Sequence, residues 1–150
     1  MKISRFILAV PCIALLASCD SKDDENLEKP PEIAEKLYNE ARDKISQGKL
    51  KEAAKDFDEV ERQHPASPLA VDAQVMSGYS SYEAEDYDTA IGTLERFVGL
   101  YPNNESTPYA YYLIAICYYE QISDVGRDQK MTEDAMAALR EVVRRFPDSD

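Results

Sequence analysis

From residue 32 onward, large apolar side chains return every three or four positions with charged residues between them, the spacing that gives an α-helix one apolar stripe. Three stretches carry the pattern in the same phase: GKLKEAAKDFDEVERQHP (48–65), EDYDTAIGTLERFVGLYP (85–102) and DQKMTEDAMAALREVVRRFP (128–147). Ala53, Ala90 and Ala135 hold a small position, and Phe57, Leu94 and Leu139 a large one four residues on. Val60, Phe97 and Val142 follow after three more, and Pro65, Pro102 and Pro147 close each stretch. Ala41, Gly78 and Ala115 form a second small column upstream. Small residues on two facing helices let their backbones approach, and the bulky residues fill the space between them. Proline cannot continue a helix, so it turns the chain into the next unit.

Alanine, a large apolar residue four on and a closing proline match the tetratricopeptide repeat, a helix–turn–helix unit of about 34 residues. The expected fold is all-α: a tetratricopeptide-repeat solenoid of antiparallel helix pairs wound as a right-handed superhelix. Three repeats are expected at approximately 34–70, 71–107 and 108–150. Gly48 suits the left-handed residue that ends a first helix. Thr132, followed by Glu133 and Asp134, suits an N-cap with acids in the first turn. Pro65 and Pro102 are 37 residues apart and Pro102 and Pro147 are 45 apart, which places a longer loop around QISDVGRDQKM (121–131).

In such a stack the first helices line a concave groove. Its facing positions are the second, fifth, ninth and twelfth of each unit. They carry Tyr38 and Arg42 in unit one, Val75, Tyr79 and Tyr82 in unit two, and Tyr109, Tyr112, Ile116 and Tyr119 in unit three. Six of the ten tyrosines fall in this set. Tyrosine offers large contact area at low entropic cost and a hydroxyl that tolerates water, which suits a binding surface. The groove is expected to take an extended segment with apolar and aromatic side chains. Tyr111 and Tyr118, on bulky packing columns, are expected in the core.

Little points to catalysis. His64, the single histidine, occupies the pre-proline position of Tyr101 and Phe146 and is read as a packing residue. Asp124 and Asp128 bracket Gly126 in the long loop, too few oxygens for a calcium site. There is no Gly-rich phosphate cradle and no paired Cys/His metal spacing. No enzyme activity, metal or dissociable cofactor is expected.

The N-terminus reads as a targeting segment. Lys2 and Arg5 precede FILAVPCIALLA, an apolar run of 12 residues, whereas a spanning helix needs roughly 20. A basic start, a short apolar middle and a small-residue end describe a secretory signal. Leu16-Ala17-Ser18-Cys19 resembles the bacterial lipobox. That resemblance implies a signal peptide over 1–18, cleaved between Ser18 and Cys19. Cys19 would then carry diacylglycerol on its sulfur and an acyl chain on its new amino terminus. One acyl chain binds a bilayer only marginally, whereas several on one cysteine hold it firmly. Residues 19–31 would be the lipidated cysteine and a disordered acidic tether. Its twelve residues from Asp20 to Pro31 reach at most about 40 Å.

Losing Lys2 and Arg5 takes the formal charge from −12 to −14. A chain this acidic has no means of binding nucleic acid through its phosphates. Cys117 would remain the only cysteine besides Cys19, leaving no internal disulfide.

The lipobox, the acidic leash, the repeats and the phrases FDEVERQHP, YAYYLIAICYYEQISDVGRDQ and ALREVVRRFPDS together resemble the BamD family, lipoprotein subunits of the β-barrel assembly machinery of Gram-negative bacteria. The most specific part, YEQISDVGRDQ, is similar to the alphaproteobacterial branch. The resemblance implies a non-enzymatic periplasmic repeat protein held to the inner leaflet of the outer membrane. Its implied partners are the barrel-forming subunit and unfolded outer-membrane proteins, whose C-terminal strands alternate aromatic residues. The chain has fewer repeats than that family carries, so the docking surface for the barrel subunit is expected to be incomplete. Val143 and its neighbours on the last helix are expected to be uncovered, with self-association or fraying there. Asp20, directly after the lipidated cysteine, retains lipoproteins in the inner membrane of enteric bacteria. The alternative is therefore an inner-membrane-anchored periplasmic scaffold for cell-wall or division proteins.

Overall fold

The computed structural model describes residues 30–122 and 129–147. Six helices follow one another: α1 (Pro30–Ser46), α2 (Leu50–Gln63), α3 (Pro68–Glu83), α4 (Tyr87–Leu100), α5 (Thr107–Glu120) and α6 (Gln129–Arg145). Each packs on the next in sequence, and the first helices of successive pairs also meet, α1 with α3 and α3 with α5. Among the described residues the second helices α2, α4 and α6 make no such backbone approach to one another. First helices close together and second helices splayed apart give the stack a concave side lined by α1, α3 and α5. This is an all-α stack of helix pairs of the tetratricopeptide type.

The small columns lie where the helices approach. Ala41, Ala53, Ala90, Ala115 and Ala135 are all buried, as is Gly78. Phe57, Val60, Leu94 and Phe97 are fully enclosed. One cluster joins Ala41, Ala53, Phe57, Val60 and Ala73 across α1, α2 and α3. A second joins Val75, Leu94, Phe97, Val98, Ala110, Leu113 and Ile114 across α3, α4 and α5. Tyr111 and Tyr118 pack half-buried against the second cluster. Tyr111 is also covered by Phe146, with ring centroids 6.0 Å apart.

The third pair departs from this plan. Leu139, the counterpart of the enclosed Phe57 and Leu94, is 36% exposed, and Val143 is 70% exposed. Met136, Leu139 and Val143 form a single stripe that faces no further helix among the described residues.

The turns repeat as faithfully as the core. Gly48 at φ 73° ends α1, with Lys49 N–H donating to the Lys44 carbonyl at 2.9 Å and Gly48 N–H to that of Ile45 at 2.9 Å. Glu85 at φ 58° ends α3 with the same pair of bonds, Asp86 N–H to Ser81 and Glu85 N–H to Tyr82. Both are the left-handed cap in which two orphan carbonyls of the last turn find donors. At the opposite ends, His64 (φ −129°, ψ 53°) and Tyr101 (φ −126°, ψ 58°) share one conformation. Each N–H donates four residues back, to Val60 and Phe97, and Phe146 does the same to Val142. A following proline disfavours the helical region, so the helix stops at each of these residues. His64 is half-buried and serves as a packing and terminating residue.

Two boundaries differ from expectation. α1 begins at Pro30, inside the last two residues of the assigned tether, because proline is preorganised for a helix's first turn. α6 begins at Gln129, so Thr132 lies within its first turns and is not its N-cap. Asp124, Gly126 and Asp128 lie outside the described residues.

Candidate peptide-binding groove

The expected groove positions lie on the first helices α1, α3 and α5, but they are not equivalent. Tyr38 stands edge-on to Phe57, with centroids 5.2 Å apart and planes at 70°, and closes the first pair as much as it faces outward. Arg42 is exposed beside it. Burial first, then the charge of Asp72 on α3, push the Tyr38 hydroxyl above its ordinary range.

Val75 does not line the groove. It is 7% exposed and packs with Leu94 and Phe97 in the central cluster. α3 is the middle first helix, with α2 and α4 behind it and α1 and α5 beside it. Its fifth position is therefore closed off, while the tyrosines one and two turns further along reach past the neighbouring helices.

The open part of the groove is aromatic. Tyr79 and Tyr82 are half-buried on α3. Tyr109, Tyr112 and Tyr119 on α5 are 44%, 46% and 60% exposed, with Ile116 half-buried between them. Tyr109 and Tyr112 are stacked, 6.5 Å between centroids and 27° between planes. Tyr82 meets Tyr87 at 6.2 Å. Burial and then the charges of Tyr79 and Glu83 raise the Tyr109 hydroxyl, so the α3 and α5 tyrosines form one patch. Tyr119 continues that patch into a cleft of about 570 Å³ between α5 and α6, lined also by Glu120, Ile122, Thr132, Ala135, Met136 and Leu139.

Two carboxylates within the patch escape the position rule. Glu83 is one turn from Tyr79, and after burial its charge and its hydrogen bond from the Tyr79 hydroxyl raise that phenol. Glu120 follows Tyr119. After burial, Glu120 and Glu83 in that order raise the Tyr82 hydroxyl. Spacing of four from a groove tyrosine was the signal for Glu83. Burial thus favours the neutral form of the Tyr79, Tyr82 and Tyr109 phenols, each a donor with an uncharged ring face.

Cys117 is fully buried, and burial pushes its thiol up to about 12. Cys19 and Ser18, the anchor and cleavage positions, lie outside the described residues.

A concave face lined by first helices and paved with half-exposed tyrosines is that of a tetratricopeptide-like helical-repeat protein. The chain belongs to the YfiO family, described as outer membrane lipoprotein, whose model matches residues 30–150. It is 45% identical over 148 residues to an outer membrane protein assembly factor BamD of Caulobacter vibrioides, covering 96% of this chain and 48% of that protein. It is 37% identical over 150 residues to the protein of that name in Rickettsia prowazekii, covering 99% and 59%. The one in Neisseria meningitidis serogroup A is 28% identical over 160 residues, covering 97% and 59%. The chain thus spans about half the length of the curated relatives it matches.

Proposed function

We propose that this protein is a non-enzymatic lipoprotein of the β-barrel assembly machinery, anchored through acylated Cys19 at the periplasmic face of the outer membrane. Its groove holds extended segments of unfolded outer-membrane proteins and presents them to the barrel-forming subunit. The relatives' shared name, outer membrane protein assembly factor, supports the pathway. The observation that carries the binding mode is the exposed pair Tyr109 and Tyr112, with rings 6.5 Å apart. An extended strand rises roughly 3.3 Å per residue and turns alternate side chains to one face, so same-face neighbours stand about 6.6 Å apart. Two successive inward side chains of such a segment can therefore each meet one ring.

The test replaces Tyr109 and Tyr112 together by alanine in cells that depend on this protein. The reading expects the variant to fractionate with the outer membrane as before while heat-modifiable, folded barrel proteins decline. Unchanged barrel folding would count against the groove. Fractionation with the inner membrane, or palmitate labelling that survives Cys19→Ala, would count against the anchor and its location.

A further inference from the structure

The groove is lopsided in charge as well as aromatic. The patch is built by α3 and α5, and neither helix contains a lysine or arginine, whereas they carry Asp72, Glu83 and Glu120. The single cation among the groove positions, Arg42, sits on α1, which meets α3 but not α5. Elsewhere the chain pairs its charges across helices, as in Lys44 with Asp56 at 2.6 Å and Arg96 with Glu61 at 2.7 Å. Among the described residues no cation is paired with Glu83 or Glu120, and the groove partner of Glu83 is the neutral hydroxyl of Tyr79. Tyr82 immediately precedes Glu83 on α3 and packs against the cluster that holds Cys117, one turn before Glu120 on α5, so its ring lies beside both carboxylates, whose charges add to burial in raising its hydroxyl. An aromatic face flanked by carboxylates attracts a cation through the ring quadrupole and through charge together.

We propose, resting on the groove reading above, that this site selects extended peptide segments bearing a lysine or arginine next but one to an aromatic or branched apolar side chain. The cation lies at Tyr82 between Glu83 and Glu120. Its apolar neighbour on the same face meets Tyr109 or Tyr112. The binding step is non-covalent and needs no co-reactant.

The experiment uses the purified, detergent-solubilised lipoprotein and two fluorescein-labelled dodecapeptides of alternating tyrosine and serine. One has a single central arginine, the other citrulline, its uncharged isostere, at that place. Anisotropy titration is expected to give about three- to tenfold tighter binding of the arginine peptide, the size of one exposed cation–π contact with a screened ion pair. That advantage should shrink as salt is raised and fall at least twofold in Glu83→Gln/Glu120→Gln, which keeps only the contact with the Tyr82 ring. Equal affinities, or an advantage that the glutamine variant retains in full, would overturn the proposal. If the affinities are equal but fall on Tyr112→Ala, the groove stands and only the cation preference is lost. If neither peptide binds protein with intact helical circular dichroism, the groove and this inference fall together.

Discussion

A β-carbon placed on Gly78 would stand 2.6 Å from Cγ and Cδ2 of Leu94. Leu94 is fully enclosed in the central cluster and has nowhere to go. This contact fixes how closely α3 and α4 approach, and so where the groove tyrosines at positions 79 and 82 point. Gly78→Ala gains about 1 kcal/mol of helix propensity, but overpacking a filled core costs about 1–3 kcal/mol. The overpacking wins because the clash is with the branch point of Leu94 and not with a flexible tip. A contact this short puts the cost at the upper end, about 2–3 kcal/mol, so urea unfolding should show a net loss of about 1–2 kcal/mol, and an unchanged midpoint would refute the tight approach.

The two left-handed caps make an internal comparison. Gly48 and Glu85 have the same bonds and nearly the same φ, yet only one is the residue that conformation favours. A side chain in the left-handed region costs roughly 1–2 kcal/mol. Glu85→Gly should therefore raise the unfolding midpoint, by about 0.5–1 kcal/mol after the entropy of glycine is counted. Gly48→Ala, where a β-carbon meets only open space, should lower it by a similar amount from conformation alone. Shifts of the same sign in both variants would contradict the shared cap.

These pairs also explain what was legible in the sequence. The small columns Ala41, Gly78 and Ala53, Ala90 and the pre-proline trio His64, Tyr101 and Phe146 could be read because close approach and helix stopping each demand a residue type. The second left-handed cap could not be, because Glu85 is not the type that position favours. Counting positions within a repeat puts Val75 in the groove, because such a count cannot tell a middle helix flanked on both sides from an outer one. The same flanking buries Gln74, Ser77, Ser80 and Ser81 on α3, a stretch that looks polar on paper. Ser80 stays satisfied there by donating its hydroxyl to the Met76 carbonyl at 2.7 Å.

Cys117 offers a probe of global opening. Its thiol is fully enclosed and pushed up to about 12, so the thiolate that attacks electrophiles is absent at neutral pH. In protein carrying Cys19→Ser, Cys117 should resist a maleimide at pH 8 while folded and react fully in urea. Its rate at intermediate urea should track helix loss by circular dichroism. Rapid labelling in the absence of urea would mean that the α4–α5 packing opens locally.

Acid acts on the last helix. Hydrogen bonds from Arg144 and then Arg145 hold the Glu141 carboxyl at about 2, below its ordinary 4.5. The folded state therefore favours the ionised form, and that contribution is complete above about pH 4.5 and lost as pH falls towards about 2. NMR titration should find the Glu141 carboxyl well below 4.5, with the amides of the last turn of α6 losing protection over the same range. Glu141→Gln should abolish that pH dependence. A Glu141 titration near 4.5 would mean the fork with Arg144 and Arg145 is absent in solution.

Peptide capture in the groove requires the first helices, not the second, to face the ligand. The most direct measurement is photocrosslinking in cells from p-benzoylphenylalanine placed at Tyr112 on the concave face or at Asp58, exposed on α2. Unfolded barrel precursors are predicted to be caught from position 112 and not from 58. Equal capture from both positions, or capture from 58 alone, would contradict it.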